Sequence, residues 1–168
     1  MVISLLGPDR MRVANPSLYG DFYRRLFPLL RQHGVRRIMA ASTPSANEPQ
    51  DRLHVPVAIL ILLLRLFASG AYKSVRGIAQ AFRDQAQGLD WTVFRLSYIP
   101  GEPDAESWKA QRETPVYAGY VGDGTWSMTT NRSALAHWLV DAVENEEEAK
   151  KWVGKLPAVS ILPKKKAP

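Results

Sequence analysis

Apolar and polar positions along this chain follow two periods in turn, and each change of period marks an element. Val2 to Leu6 is a short apolar run closed by Gly7-Pro8, which predicts a buried strand. Asn15 and Pro16 then supply a cap and a first-turn proline, and Leu18, Phe22, Leu26, Leu29 and Leu30 fall on one helical stripe. Pro28 predicts a kink in that helix and Gly34 a left-handed stop after it. Val35 to Ala41 returns to an extended pattern, which Ser42-Thr43-Pro44-Ser45 ends. A polar loop through Arg52 follows.

Val57 to Ala68, VAILILLLRLFA, is apolar on nearly every side. Beyond Gly70, helical spacing resumes through Val75, Ile78, Ala79, Phe82 and Ala86 until Gly88. Asp90 to Ser97, DWTVFRLS, reads as a further strand, closed by a proline- and glycine-rich loop. Val116 to Met128 is extended around Gly122-Asp123-Gly124, which predicts a small hairpin. Leu135, Trp138, Leu139, Ala142 and Val143 give a last amphipathic helix behind Thr130 or Asn131 as cap, with Glu144 to Glu148 as its solvated end. Alternating strands and helices with tight joins predict an α/β fold with a doubly wound parallel sheet and helices on both faces. Residues 1–162 are expected to form one domain and 163–168 a basic tail.

Composition narrows the function classes. The 168 residues, 46% hydrophobic and 23% charged, suffice for one core. With no cysteine there is no disulfide scaffold, thiol nucleophile or thiolate metal site. His33, His54 and His137 lack metal-ligand spacing, and no Gly-x-Ser-x-Gly elbow is present. The net charge of +6 invites a nucleic-acid reading, but apart from Lys164 to Lys166 the cations are scattered, and no nucleic-acid partner is expected. Residues 57–68 would span about 18 Å as a helix, short of a hydrocarbon core of about 30 Å, so no transmembrane segment is expected. Such a segment should be buried, or pressed against a partner or a membrane surface. Met1 to Leu6 has neither the basic start nor the apolar length of a secretory leader, so no signal peptide is expected, and the lack of cysteine fits a reducing compartment.

Three segments in order carry a family resemblance: HGVRRIMAAST (33–43), GLDWTVFRLSYIPGEP (88–103) and RSALAHWLVDAVE (132–144). The chain resembles the NmrA-like, atypical branch of the short-chain dehydrogenase/reductase superfamily. The resemblance aligns VISLLGP with that family's fourth strand, which implies a partial Rossmann-like sheet lacking the earlier strands and their glycine-rich phosphate loop. Gly7-Pro8-Asp9-Arg10 is a poor replacement, because proline gives up a donor and aspartate adds a like charge. The family cofactor is NADP or NAD, and this chain alone is expected to bind it weakly or not at all. The opening strand would have one bare edge, which implies a homodimer or a partner chain covering it.

The superfamily usually works with a serine and a Tyr-x-x-x-Lys pair. Here Ser42 stands at the strand end, and Tyr72 is followed four residues later by Arg76, which keeps a positive charge beside the phenol but not an ammonium. Tyr72, Ser42 and Arg76 are therefore the candidate catalytic residues, and Thr43, Tyr98, Ile99 and Pro100 the candidate substrate contacts. Simpler roles exist for each: small polar residues end strands, and a tyrosine early in a helix can pack. The implied function is NAD(P)H-dependent oxidoreduction of a small organic substrate. Alternatives are a cofactor-free isomerase, cyclase or dehydratase using Tyr72, Ser42, Asp104 or Glu106, and a regulatory module that docks through the bare strand and residues 57–68.

Overall fold

The computed structural model describes residues 1–162, so the basic tail at 163–168 lies outside the described residues. Five strands form one sheet: β1 (Val2–Ser4), β2 (Arg37–Ser42), β3 (Asp90–Arg95), β4 (Val116–Gly119) and β5 (Ala158–Ile161). Their spatial order is β1-β2-β3-β5-β4; β1, β2, β3 and β5 run parallel, and β4 closes the far edge antiparallel to β5. The architecture is α/β, with helices on both faces as expected.

The β1–β2–β3 part is built by two right-sized crossovers. The first is α1 (Leu18–Gln32), whose buried stripe of Tyr23, Phe27 and Leu30 packs on Ile38 and Ala40 of the sheet. Asn15 does not cap α1 directly; Ser17 is the N-cap, and the Asn15 carboxamide accepts from its backbone N–H at 3.1 Å. Gly34, at φ +69°, ends α1 as expected, and Val35 N–H returns to Leu30 C=O at 2.8 Å. The second crossover has two helices, α2 (Val55–Phe67) and α3 (Ser69–Gln85), meeting at a bend of 113°. The α3 helix lies beside α1, and they approach closely: a Cβ on Gly20 would sit 2.9 Å from Gly77 C=O. Val75, Ile78, Ala79 and Phe82 complete this layer, in which the Tyr23, Phe27 and Phe82 rings contact one another.

On the opposite face, α5 (Arg132–Glu144) lays Leu135, Leu139 and Ala142 against Met39, Phe94 and Val159. The short α4 (Ala105–Gln111) precedes β4, capped by Asp104, which accepts from Ser107 and Glu106 N–H. A separate α6 (Glu146–Lys150) follows α5, so the acidic stretch is not simply the frayed end of one helix.

The expected hairpin within 116–128 does not form. Instead β4 pairs with β5, and the chain beyond the 120–124 turn joins the loop after β3 through a Tyr98–Thr129 bridge. The β5 segment binds both β3 and β4, so it out-competes a local hairpin that would satisfy one strand only.

One ion pair ties the loops at the carboxyl ends of the strands together. The Arg95 side chain at the end of β3 is fully buried, and its guanidinium grips both carboxylate oxygens of Asp51. The same guanidinium donates to Leu156 C=O at 2.6 Å and Ala46 C=O at 3.1 Å. Asp51 in turn accepts from Glu48 N–H at 2.7 Å and Val121 N–H at 3.0 Å. Burial opposes ionisation of Asp51, but the Arg95 bond and the backbone donors outweigh it and hold its carboxyl below the usual range.

Arg95→Ala or Asp51→Ala, by leaving one buried charge without its partner, should cost about 3–5 kcal/mol in denaturant unfolding. Arg24→Ala, which breaks an exposed i,i+3 pair with Asp21, should cost less than about 1 kcal/mol. Because the folded carboxyl titrates below its unfolded value of about 3.9, the Asp51 contribution is full above that pH and fades as pH falls through the lowered value. Asp51→Asn should therefore flatten the acid limb of a stability-against-pH curve, and an unchanged limb would refute the assignment.

Candidate functional site

Open parallel sheets bind ligands beyond the carboxyl ends of their strands, where the loops diverge. Here that region is roofed by α2. Its inward stripe of Val57 and Ile61 packs with Val121, Trp126 and Ala158, and with Leu60 and Leu64 it closes a cavity of about 100 Å³ over Thr43, Ser45, Leu96 and Ser97. The floor is thus made by the segments that leave β2 and β3, the two places the family resemblance singles out.

The cavity is apolar except for its hydroxyls. Thr43 Oγ accepts from Ser45 N–H at 3.3 Å, which fixes the turn after β2. Ser97 Oγ, which lines the cavity, and Ser42 Oγ, one residue before Thr43 but outside the lining, are both buried and neither accept nor donate a hydrogen bond. Nearby at the start of α2, His54 meets the Trp126 ring edge-on at 5.2 Å, and His54 Nδ1 and Trp126 Nε1 are likewise buried and unpaired. Buried polar atoms are rarely left so, and of these four Ser97 Oγ is the one that lines the cavity, where a guest could supply its hydrogen bond.

The other candidate residues are spread around this region. Tyr72 lies half-buried in the first turns of α3, and its hydroxyl accepts from the Arg76 guanidinium at 2.9 Å, so the pair expected from their spacing is formed. Neither residue lines the cavity. The Tyr98 ring is largely exposed while its backbone pairs with Met128 and Thr130; Ile99 packs on the α5 side; Pro100 C=O accepts from Arg132 N–H at 2.9 Å. The structure therefore brings Thr43 and Ser97 together, leaves Ser42 at the end of β2 outside the cavity lining, and keeps Tyr72–Arg76 apart as a second group. Asp104 is committed to capping α4, and the Ser107 amide holds its carboxyl below the usual range, which makes it a poor proton donor.

Sequence reasoning missed Ser97, His54 and Trp126. Only their adjacency to the strand end and the helix start could have pointed to them, because nothing in their spacing distinguishes them from packing residues.

A larger concavity, about 810 Å³, lies elsewhere: under α5 at the amino ends of β2 and β3, between Arg37, Thr92, Trp138, Asp141 and Trp152. Parallel strands do not present their diverging loops at that end, so it is a weaker candidate.

The loop after β1 does not fit a dinucleotide pyrophosphate. Pro8 offers no N–H, Gly7 is not in the left-handed region, and no helix starts until Leu18. There the Leu18 and Asp21 amides already donate to Asn15 and Ser17 carbonyls. Asp21 occupies the first turn, and the Ser17 hydroxyl holds its carboxyl below the usual range, so it stays ionised where a phosphate would need to approach.

No family model and no curated protein matches the sequence. Solved structures do match in fold. A proposed NAD-dependent epimerase/dehydratase from Bacillus halodurans superposes with a TM-score of 0.57 at 15% identity, over 95% of this chain and 63% of that one. A protein from Lactobacillus casei gives a TM-score of 0.61 at 13% identity, over 96% and 70%. Gre2 from Candida albicans, solved in complex with NADPH, gives 0.54 at 11% identity, over 95% and 56%. The fold is that of the Rossmann-like NAD(P)-dependent proteins, and this chain spans only part of their length.

If the hydroxyls of Ser42 and Ser97 await a guest, removing either should not harm the empty protein. Ser97→Ala and Ser42→Ala are expected to leave the unfolding free energy unchanged or raise it by about 0.5–1.5 kcal/mol, since an unmet polar atom is lost. A loss above about 1 kcal/mol in chemical denaturation would mean that these oxygens already have partners.

Proposed function

We propose that this chain is the substrate-side half of a Rossmann-type oxidoreductase of the NmrA-like, atypical short-chain kind, acting on a small organic substrate. The observation that carries the reading is the roofed cavity at the carboxyl ends of β2 and β3, where Thr43 and the unpaired Ser97 hydroxyl meet. In this reading Thr43 and the Tyr98-Ile99-Pro100 loop contact the substrate and Ser42 handles the proton; Tyr72, its hydroxyl held by Arg76 outside the cavity, shares that role only for a substrate that reaches past α2 to α3.

NADP or NAD is the cofactor implied by the likeness, and the isolated chain binds it weakly or not at all, because the β1 loop offers a carboxylate and too few free amides. The bare edge of β1, which pairs with β2 alone, is covered by a second copy or another chain. The cytoplasm is the proposed location. A cofactor-free isomerase, cyclase or dehydratase on the same fold is the second reading, and the misfit of that loop to a pyrophosphate favours it.

Titrating the chain with NADPH and following nicotinamide fluorescence should give no tight, stoichiometric saturation; such saturation would overturn the account of the β1 loop. With a panel of small carbonyl substrates and millimolar NADPH, Tyr72→Phe should lower turnover by about 10²–10⁴-fold while leaving the unfolding midpoint in place. Turnover retained by this variant would remove Tyr72 from the chemistry.

A further inference from the structure

The inner stripe of α2 roofs the cavity, but among the described residues its outer stripe is left exposed. Val55, Ile59, Leu62 and Leu66 recur at helical spacing along that outer side, and all are exposed, with Leu63 beside them. Leu53 before the helix and Phe67 at its end are 83% and 80% exposed. Met11, also exposed, extends the patch, since it borders the same surface concavity as Phe67 and Lys73. Monomeric soluble proteins rarely leave so continuous an apolar surface open.

The charges around the patch say what covers it. From residue 52 to residue 83 the chain holds no aspartate or glutamate, whereas Arg52, Arg65, Lys73 and Arg76 are all present and exposed. Arg10 and Arg12 flank Met11. The carboxylates just before the helix are engaged inward, Glu48 with Arg83 and Asp51 with Arg95. An apolar spine with a cationic margin is the pattern of a helix lying in a bilayer interface, its apolar side among acyl chains and its basic residues among anionic headgroups. Asp9 beside Arg10 and Asp123 near Arg52 are carboxylates at the rim, but α2 itself carries none, so two copies joined through α2 would set Arg65 of each against the other without a carboxylate on either helix. Spanning is excluded by dimensions: the 13 residues of α2 extend about 20 Å, and α3 turns away by 113° to bury Val75, Ile78 and Phe82 in the core.

We propose that α2, with Leu53, Phe67 and Met11, is a docking surface for an anionic lipid bilayer, on which the protein sits as an interfacial protein. The helix that contacts lipid with its outer stripe is the one that closes the cavity with its inner stripe. The proposal stands on the exposed patch and its charges and does not depend on the oxidoreductase reading.

The test is co-sedimentation of the full chain with sucrose-loaded vesicles of phosphatidylcholine containing about a third phosphatidylserine, against phosphatidylcholine alone. Binding is expected on the anionic vesicles, weaker by severalfold on the neutral ones and at high salt. The triple variant I59Q/L62Q/L66Q should bind at least about tenfold more weakly, and Arg65→Glu about fivefold or more, since each interfacial cation contributes a factor of that size. These side chains are exposed, so circular dichroism and the unfolding midpoint should not move. Failure to sediment with anionic vesicles, or equal binding to both vesicle types with no response to Arg65→Glu, would overturn the proposal. So would a lipid-free dimer, seen by light scattering, that the triple variant dissolves while vesicles capture nothing; that outcome assigns the face to a second copy. A dimer that survives the triple variant belongs to the β1 edge and leaves the vesicle result as the deciding one.

Discussion

A single buried guanidinium holds the working end of this fold together. At the carboxyl end of β3 three separate segments converge, and the Arg95–Asp51 pair joins them: the 46–51 segment after β2, the turn at Val121 after β4 and the approach to β5. A charge can be taken wholly out of water only where its donors are met, and here the partner carboxylate and two backbone carbonyls supply that. The consequence is positional. The chain leaving Asp51 enters α2 almost directly, so the ion pair sets where the roof helix starts and therefore how large a space it closes. Gly122 belongs to the same lock: it sits at φ +74°, and a Cβ there would fall 2.6 Å from Arg52 C=O.

Much of this architecture was legible in the chain's periodicities, and the misses have physical causes. Helical stripes and glycine stops located α1, α3 and α5 because each buries one face against a sheet, which is the situation that produces a stripe. The α2 segment was visible as a helix of unusual character: one stripe closes the cavity and the other is exposed, yet neither is polar. The hairpin expected within 116–128 failed because strand pairing is decided by competition. The partner that wins, Ala158–Ile161, is four residues long and far away in sequence, so no local pattern announces it. The first strand is shorter than the Val2 to Leu6 run: its pairing ends at Ser4 with Ala40, although β2 itself runs on to Ser42.

The site divides in the same way. Thr43 and Ser42 could be named in advance because they end a strand, and ends of parallel strands are where chemistry collects. Tyr72 and Arg76 could be named from their spacing, and the hydrogen bond between them follows from helical geometry alone. What spacing could not convey is that α2 intervenes, so that the two groups lie around one helix and not in one pocket. Asp51 sits in a loop without periodicity, and its importance comes from what lies opposite it in space.

The sheet order has a temporal side. The β5 strand lies between β3 and β4, yet both of its neighbours are made before it. While the chain is being synthesised, β4 has no ladder to join, and one edge of β3 stays open until residue 161 has left the ribosome. The apolar face that β3 turns toward α5 is unshielded for a shorter time, until residue 144 has emerged. Nascent chains paused before that point would hold the α1–α3 layer on a three-strand sheet with an unfilled slot, a state that a chaperone or a neighbouring nascent copy would meet before the finished protein exists.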